Sequence, residues 1–158
     1  MEPIIQLNSE VKLSDHFTLG EMTKSSSHPE VYNIPSHEAI VNLKRLCGWL
    51  EVLRKRYNDK YGEGEDPIRI NSGYRSPQLN KKIGGAAGSN HLTGCAVDIR
   101  VLGMEQLIRY ATILLDYADE SRQDFDELLI ERNRCGAIWL HFAVRPFSNR
   151  RKVAFIQA

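Results

Sequence analysis

No stretch of this chain approaches the roughly 20 consecutive apolar residues of a membrane-spanning helix, so membrane insertion is not expected. An excess of one charge is missing as well. Lys and Arg number 21 against 20 Asp and Glu, a formal net charge of +1, so nothing global attracts nucleic acid or an anionic membrane surface. Cysteine is scarce: Cys47, Cys95 and Cys135 are widely spaced, odd in number and without a CxxC pair. That argues against a disulfide framework and a thiolate metal ribbon, and the three read as reduced, mostly buried thiols. The opening residues, Met1-Glu2-Pro3-Ile4-Ile5-Gln6, lack a basic stretch followed by an apolar one, so no secretory signal is expected. Internal repeats and low-complexity tracts are absent too. What is present is 42% hydrophobic and 26% charged residues over 158 positions, enough for one globular domain. We expect a single domain over 1–158, with an arm and loop over 1–35, a core over 36–144 and a basic segment over 145–158.

A short helix is predicted to start near Thr18. The serine-rich stretch Ser25-Ser26-Ser27, with Pro29 and Pro35 behind it, reads as a loop. From Ser36, a plausible N-cap, Ala39, Ile40, Leu43, Leu46, Cys47, Leu50 and Leu53 fall at helical spacing, which predicts an amphipathic helix ending near Tyr57. A turn-rich linker over 58–67 feeds a short strand, Ile68 to Asn71. Beyond the turn at 72–77 and a glycine-rich segment over 84–88, residues 95–101 have strand character. Met104, Leu107, Ile108, Ala111, Leu114, Leu115 and Ala118 mark a second amphipathic helix, and strands are expected over 127–131 and 137–144. Long helices mixed with short strands predict an α+β fold, with helices on one side of a small antiparallel sheet.

Two imidazoles and a carboxylate stand out. His91 closes a loop, and Asp98 lies inside an otherwise apolar strand, where a carboxylate is costly unless paired or bound to metal. His141 lies in a second apolar strand, sharing a face with Trp139 and Ala143 while Leu140, Phe142 and Val144 point the other way. Read singly, these are a loop histidine, a paired acid and a satisfied core histidine. Read together, two neutral imidazoles and one carboxylate suffice to hold Zn²⁺ tetrahedrally with an open fourth position, as in catalytic zinc sites.

The pattern Ser89-x-His91-x-x-Gly94-x-Ala96-x-Asp98, followed by Trp139-x-His141, closely resembles the signature of the zinc D-alanyl-D-alanine carboxypeptidase family. That family includes phage endolysins and the vancomycin-resistance D,D-dipeptidases, and shares its fold with the hedgehog signalling domain. Ser72-Gly73-Tyr74-Arg75-Ser76, with Leu79-Asn80 and Gly84-Gly85, is similar to a further family block, and Phe17 to Met22 resembles its opening element. The resemblance implies that His91, Asp98 and His141 bind zinc, and that Arg75 binds the substrate carbonyl or developing oxyanion. Arg75 could instead tie down its own turn. Ser89, Asn90 and Trp139 are expected to border the substrate.

The implied reaction is cleavage of peptidoglycan stem peptides, as a D-Ala-D-Ala carboxypeptidase or an L-Ala-D-Glu endopeptidase. A general base must take a proton from the attacking water. Dipeptidase members carry a Glu three residues before the last His, where this chain has Ile138. The substitute is Glu131, closing the run from Phe125. Asp126 and Glu127 compete with it, and a solvated acidic edge would explain those two equally well. After Glu131 no acidic residue follows, whereas Arg132, Arg134, Arg145, Arg150, Arg151 and Lys152 do, and they read as a solvated basic surface. A monomer is expected, with neither nucleic acid nor an inserted membrane as partner. The missing secretory signal fits either a phage-type lysis enzyme made in the cytoplasm and released to the wall by a holin-type route, or a cytoplasmic enzyme acting on precursors or recycled muropeptides. A non-catalytic zinc domain of the same fold, used for binding or structure, is the alternative.

Overall fold

The computed structural model describes residues 8–25 and 27–158; Met1 to Gln6, read above for a secretory signal, and Ser26 of the serine-rich loop lie outside them. Strands β1 (Lys12–Ser14) and β2 (Phe17–Thr18) pair antiparallel and lead into helix α1 (Leu19–Thr23). The Thr18 hydroxyl accepts the Glu21 N–H at 3.2 Å while the Glu21 carboxylate accepts the Thr18 N–H at 3.3 Å. This reciprocal cap starts the helix. Five residues cannot hold a helix by themselves, and burial of Leu19 and Met22 in the core does so instead.

Ser36 caps α2 (His37–Lys60) through the Ala39 N–H, as its sequence position predicts. The helix runs beyond Tyr57 because Asn58 supplies a local closure: its amide donates to the Arg54 and Asp66 carbonyls and its oxygen accepts the Asp66 N–H. Next come β3 (Ile70–Ser72), α3 (Pro77–Lys82), β4 (Ala96–Arg100), α4 (Met104–Ser121), β5 (Glu127–Arg132), β6 (Ile138–Ala143) and β7 (Lys152–Gln157). Sequence periodicity misses α3, which is only six residues long, although Ser76 and Pro77 form an N-cap and N1 pair.

Strands β3 to β7 form one five-stranded sheet in the order β3-β4-β6-β5-β7, antiparallel except that β7 runs parallel to β5. The expected α+β architecture holds. One sheet face, carrying Val97, Ile99, Leu128, Leu140 and Phe142, packs on the apolar faces of α2 and α4 in a single core. Phe142 is completely buried, with the Trp49 ring 5.4 Å away between centroids; burying a side chain of this size contributes about 1.5–3 kcal/mol.

The other sheet face is open and carries the polar alternates. Register sets their neighbours: Asp98 lies opposite His141, which lies opposite Leu129, and one step along Trp139 lies opposite Glu131. Glu127, Leu129 and Glu131 share this face of β5, so the two glutamates sit diagonally on either side of His141. The C-terminal stretch, read from sequence only as a basic segment, supplies β7 as an edge strand. Its signal is weak because Val153 and Phe155 remain more than half exposed.

Candidate metal centre

His91 lies in a single 3₁₀ turn, Asn90–Thr93, built by local chemistry. The Ser89 hydroxyl accepts the His91 N–H at 3.2 Å, and Gly94 closes the turn at φ 75°, a left-handed conformation suited to glycine. A Cβ at Gly94 would also meet the Ala39 carbonyl oxygen at 2.5 Å. The neighbouring Gly73 lets its strand end pass close under α1, where a Cβ would lie 2.4 Å from the Met22 carbonyl oxygen. The Gly73 carbonyl then accepts from His91 Nδ1 at 2.6 Å. A carbonyl can only accept, so Nδ1 carries the proton and Nε2 presents its lone pair.

That lone pair is buried and has no hydrogen-bond partner, the one such side-chain atom among the described residues. It lies 3.3 Å from Asp98 Oδ1, and His141 Nδ1 lies 3.0 Å from the same oxygen. Ligand atoms from His91, Asp98 and His141 all fall within 4.8 Å of one another, and all three residues are buried. An orphaned imidazole nitrogen facing a second imidazole and a carboxylate fits a metal ion, and two nitrogens with one oxygen suit zinc. Burial alone would push the Asp98 carboxyl up, but His91 and His141 outweigh it and hold it far below the usual carboxylate range. Burial likewise lowers His141, yet hydrogen bonds with Asp98 and Glu127 raise it to about 10.

Arg75 follows the Gly73 turn and reaches back: Nη2 donates to Asp98 Oδ2 at 3.1 Å, Nε to Ser72 Oγ at 3.1 Å and Nη1 to Asn80 Oδ1 at 3.4 Å. It therefore ties down its own turn and also grips the candidate metal carboxylate. Glu131 Oε1 lies 3.9 Å from His141 Nδ1, on the side where the three ligand atoms meet, while Oε2 accepts the Trp139 indole N–H at 2.7 Å. The sequence alternative, in which Glu131 pairs with Arg132 or Arg134, is not what the side chain does. Burial and the nearby Asp98 charge raise its pKa, against smaller opposing effects of His141 and Trp139. Glu127 sits on the opposite side of His141, with Oε1 3.0 Å from Nε2.

Asp126 and Glu127 are not a solvated edge. Asp126 is fully buried, and the Arg150 guanidinium grips it twice, at 3.0 and 2.8 Å. Arg145 Nε adds a contact at 3.2 Å and Asn90 Nδ2 one at 2.8 Å. Arg151 pairs with Asp119 and Asp124, so much of the basic C-terminal stretch is paired with acids rather than free in solvent. No local sequence signal announces these pairings, because solvated Arg and Lys need no acidic partner. Of the cysteines, Cys47 and Cys95 are buried and Cys135 is exposed in the β5–β6 turn; all three are free.

Burial raises the Asp126 carboxyl, but Arg150 and Asn90 prevail and bring it down to about 2. A depressed carboxylate stabilises the fold above its unfolded pKa of about 3.9, and that contribution is lost as pH falls through the folded value. Thermal unfolding of the wild type should therefore become markedly easier between about pH 4 and pH 2. Asp126→Asn should be less stable at neutral pH and show a flatter profile across that window. A parallel profile for the two proteins would contradict this.

All eight residues singled out from sequence, Arg75, Ser89, Asn90, His91, Asp98, Glu131, Trp139 and His141, line one cleft of about 600 Å³. Three of them spend their polar atoms inside the protein. Ser89 holds the His91 turn, Trp139 holds Glu131, and Asn90 bonds Asp126, Glu127 and Arg145.

Residues 15–117 match the peptidase M15 family. The chain belongs to that family. The M15 match takes in Arg75, His91 and Asp98 and stops before β5 and β6, so His141 and Glu131 join the site through sheet register. The chain is also similar to a zinc D-Ala-D-Ala carboxypeptidase of Streptomyces albus G, 29% identical over 96 residues. That stretch covers 61% of this chain and 35% of the relative. No helix among the described residues of this M15 member is long and apolar enough to cross a membrane.

Proposed function

We propose that this protein is a zinc-dependent peptidase acting on the peptide stems of peptidoglycan, by D-Ala-D-Ala carboxypeptidase or L-Ala-D-Glu endopeptidase cleavage. The observation that carries the reading is the convergence of one unpartnered imidazole, a second imidazole and a carboxylate in a cleft that also holds a half-buried glutamate and a half-buried guanidinium. His91, Asp98 and His141 hold the metal. When bound, zinc supplies Lewis acidity that makes water a competent nucleophile near neutral pH.

Glu131 takes the proton from the attacking water and returns it to the leaving nitrogen. Its raised pKa suits this exchange, because a carboxylate that is a stronger base than usual can accept the proton and its acid form can still release it. Trp139 fixes one carboxylate oxygen and leaves the other turned towards the ligand cluster. Arg75 keeps Asp98 in place and lends positive charge to the oxyanion that forms on the scissile carbonyl. Ser89 and Asn90 shape the cleft wall and hold the His91 turn.

Arg75→Lys should lower kcat by about 10²–10³-fold, with metal content and folding kept, because the charge survives while the planar fork does not. Steady-state kinetics beside zinc analysis checks this, and an unchanged kcat would confine Arg75 to its turn. The test of the reaction itself is mass spectrometry of muropeptides released from purified sacculi. Loss of a terminal D-alanine marks the carboxypeptidase, and a new D-glutamyl N-terminus marks the endopeptidase. Intact stems after prolonged digestion would overturn the reading.

A further inference from the structure

We propose that Glu127 sets the orientation of His141 as a metal ligand, clamping the ring nitrogen that faces away from the ligand cluster. The inference rests on the zinc reading above and adds a positioning residue to it.

The two histidines are held in different ways. His91 donates from Nδ1 to a backbone carbonyl and presents Nε2 to the cluster. His141 is turned around: Nδ1 faces Asp98 at 3.0 Å, and Nε2 faces Glu127 Oε1 at 3.0 Å. With a cation at Nδ1 the neutral ring would carry its single proton on Nε2, and that N–H would donate a hydrogen bond to Glu127 Oε1. A carboxylate in that place fixes the tautomer and the ring angle and raises the basicity of the ligating nitrogen.

Glu127 is itself held firmly enough to do this. Asn90 Nδ2 donates to Oε1 at 2.6 Å, and Arg150 Nη2 lies 3.5 Å from Oε2. Behind them the buried Asp126 grips Arg150 and draws in Arg145, so Arg150 braces the glutamate directly and Arg145 does so through Asn90. The register on β5 gives each glutamate a separate task. Glu131 and Glu127 lie four residues apart on one face, and the His141 ring stands between their diagonals, so Glu131 meets the Nδ1 side and Glu127 the Nε2 side. Glu127 is thereby directed away from the position where water would attack.

The experiment compares wild type, Glu127→Gln, Glu127→Ala and Glu127→Leu. It reads the zinc dissociation constant by competition with a chromophoric chelator, the visible spectrum of the Co²⁺-substituted protein, and the thermal midpoint of the metal-free form. Glu127→Ala should bind zinc about 10–100-fold more weakly and change the Co²⁺ bands, since the ring loses its outer partner. Glu127→Gln keeps an oxygen that accepts from Nε2–H and should recover most of that affinity and the wild-type Co²⁺ bands. If Glu127→Ala does not fold, Glu127→Leu, similar in size and without an acceptor, carries the same expectation. Wild-type zinc affinity and Co²⁺ bands in Glu127→Ala or Glu127→Leu would overturn the proposal, and so would a Glu127→Gln protein as weak as Glu127→Ala. Zinc bound by the wild type, lost in His141→Ala and unaffected by removing Glu127 would sink this inference alone. A wild type that takes up no zinc would sink the site reading with it.

Discussion

His91→Ala, Asp98→Ala and His141→Ala are each expected to reduce bound zinc from about one equivalent to near none and to abolish hydrolysis, because two protein ligands cannot hold the ion that three hold. The three variants should part company in stability. His91→Ala removes an imidazole whose Nε2 has no hydrogen-bond partner among the described residues. Asp98→Ala removes the one carboxylate shared by Arg75, His91 and His141, and leaves the partly buried Arg75 guanidinium without its ion-pair partner. A fully buried pair costs about 3–5 kcal/mol to break and this partly buried one less, so Asp98→Ala should unfold below the other two even without metal. Cys95 provides the control. Its thiol is buried inside the same ten-residue motif and is pushed to a higher pKa by that burial, so Cys95→Ala should retain full zinc. Metal analysis with thermal unfolding checks the set; zinc retained in His141→Ala would remove that residue from the centre.

Glu131→Gln is expected to keep zinc and fold and to lower turnover by about 10²–10⁴-fold, the usual loss when a general base is removed. Glutamine retains the oxygen that accepts from the Trp139 indole, so the strand pairing and the shape of the cleft are preserved. What it cannot do is take a proton. Register makes the assignment specific, because Glu131 is the β5 carboxylate that lies towards His141 Nδ1, at 3.9 Å. Asp126→Asn removes a carboxylate already committed to Arg150 and should act mainly through stability. Single-turnover kinetics on a defined stem peptide separates these effects. An active Glu131→Gln protein would place the base elsewhere.

Much of this was legible before any coordinates, for identifiable physical reasons. The helix from Ser36 and the helix from Met104 each carry a long apolar stripe, and long periodic stripes are robust against tertiary context. Asp98 and His141 were conspicuous because polar groups in apolar strands demand a partner, and they prove to be directly opposite each other. Other features depended on contacts no local pattern encodes. Glu127 and Glu131 are equivalent by periodicity, and only the pairing of β5 with β6 decides which faces the ligand cluster. β7 was missed because an edge strand with exposed Val153 and Phe155 lacks a clean polar and apolar alternation. Arg145 and Arg150 read as surface charge until the fold brought them onto Asp126, more than 15 residues upstream of either.

A single assay tests whether the three-ligand cluster serves hydrolysis of a peptidoglycan stem. Zinc-loaded protein is incubated with a purified stem pentapeptide, the products are followed by mass spectrometry, and the run is repeated after chelation and after return of zinc. One defined cleavage is expected, which disappears with the metal, returns with it and is missing in Glu131→Gln. Tight zinc binding by the wild type with no cleavage of any stem peptide would contradict it and assign the chain to a zinc domain used for binding or structure.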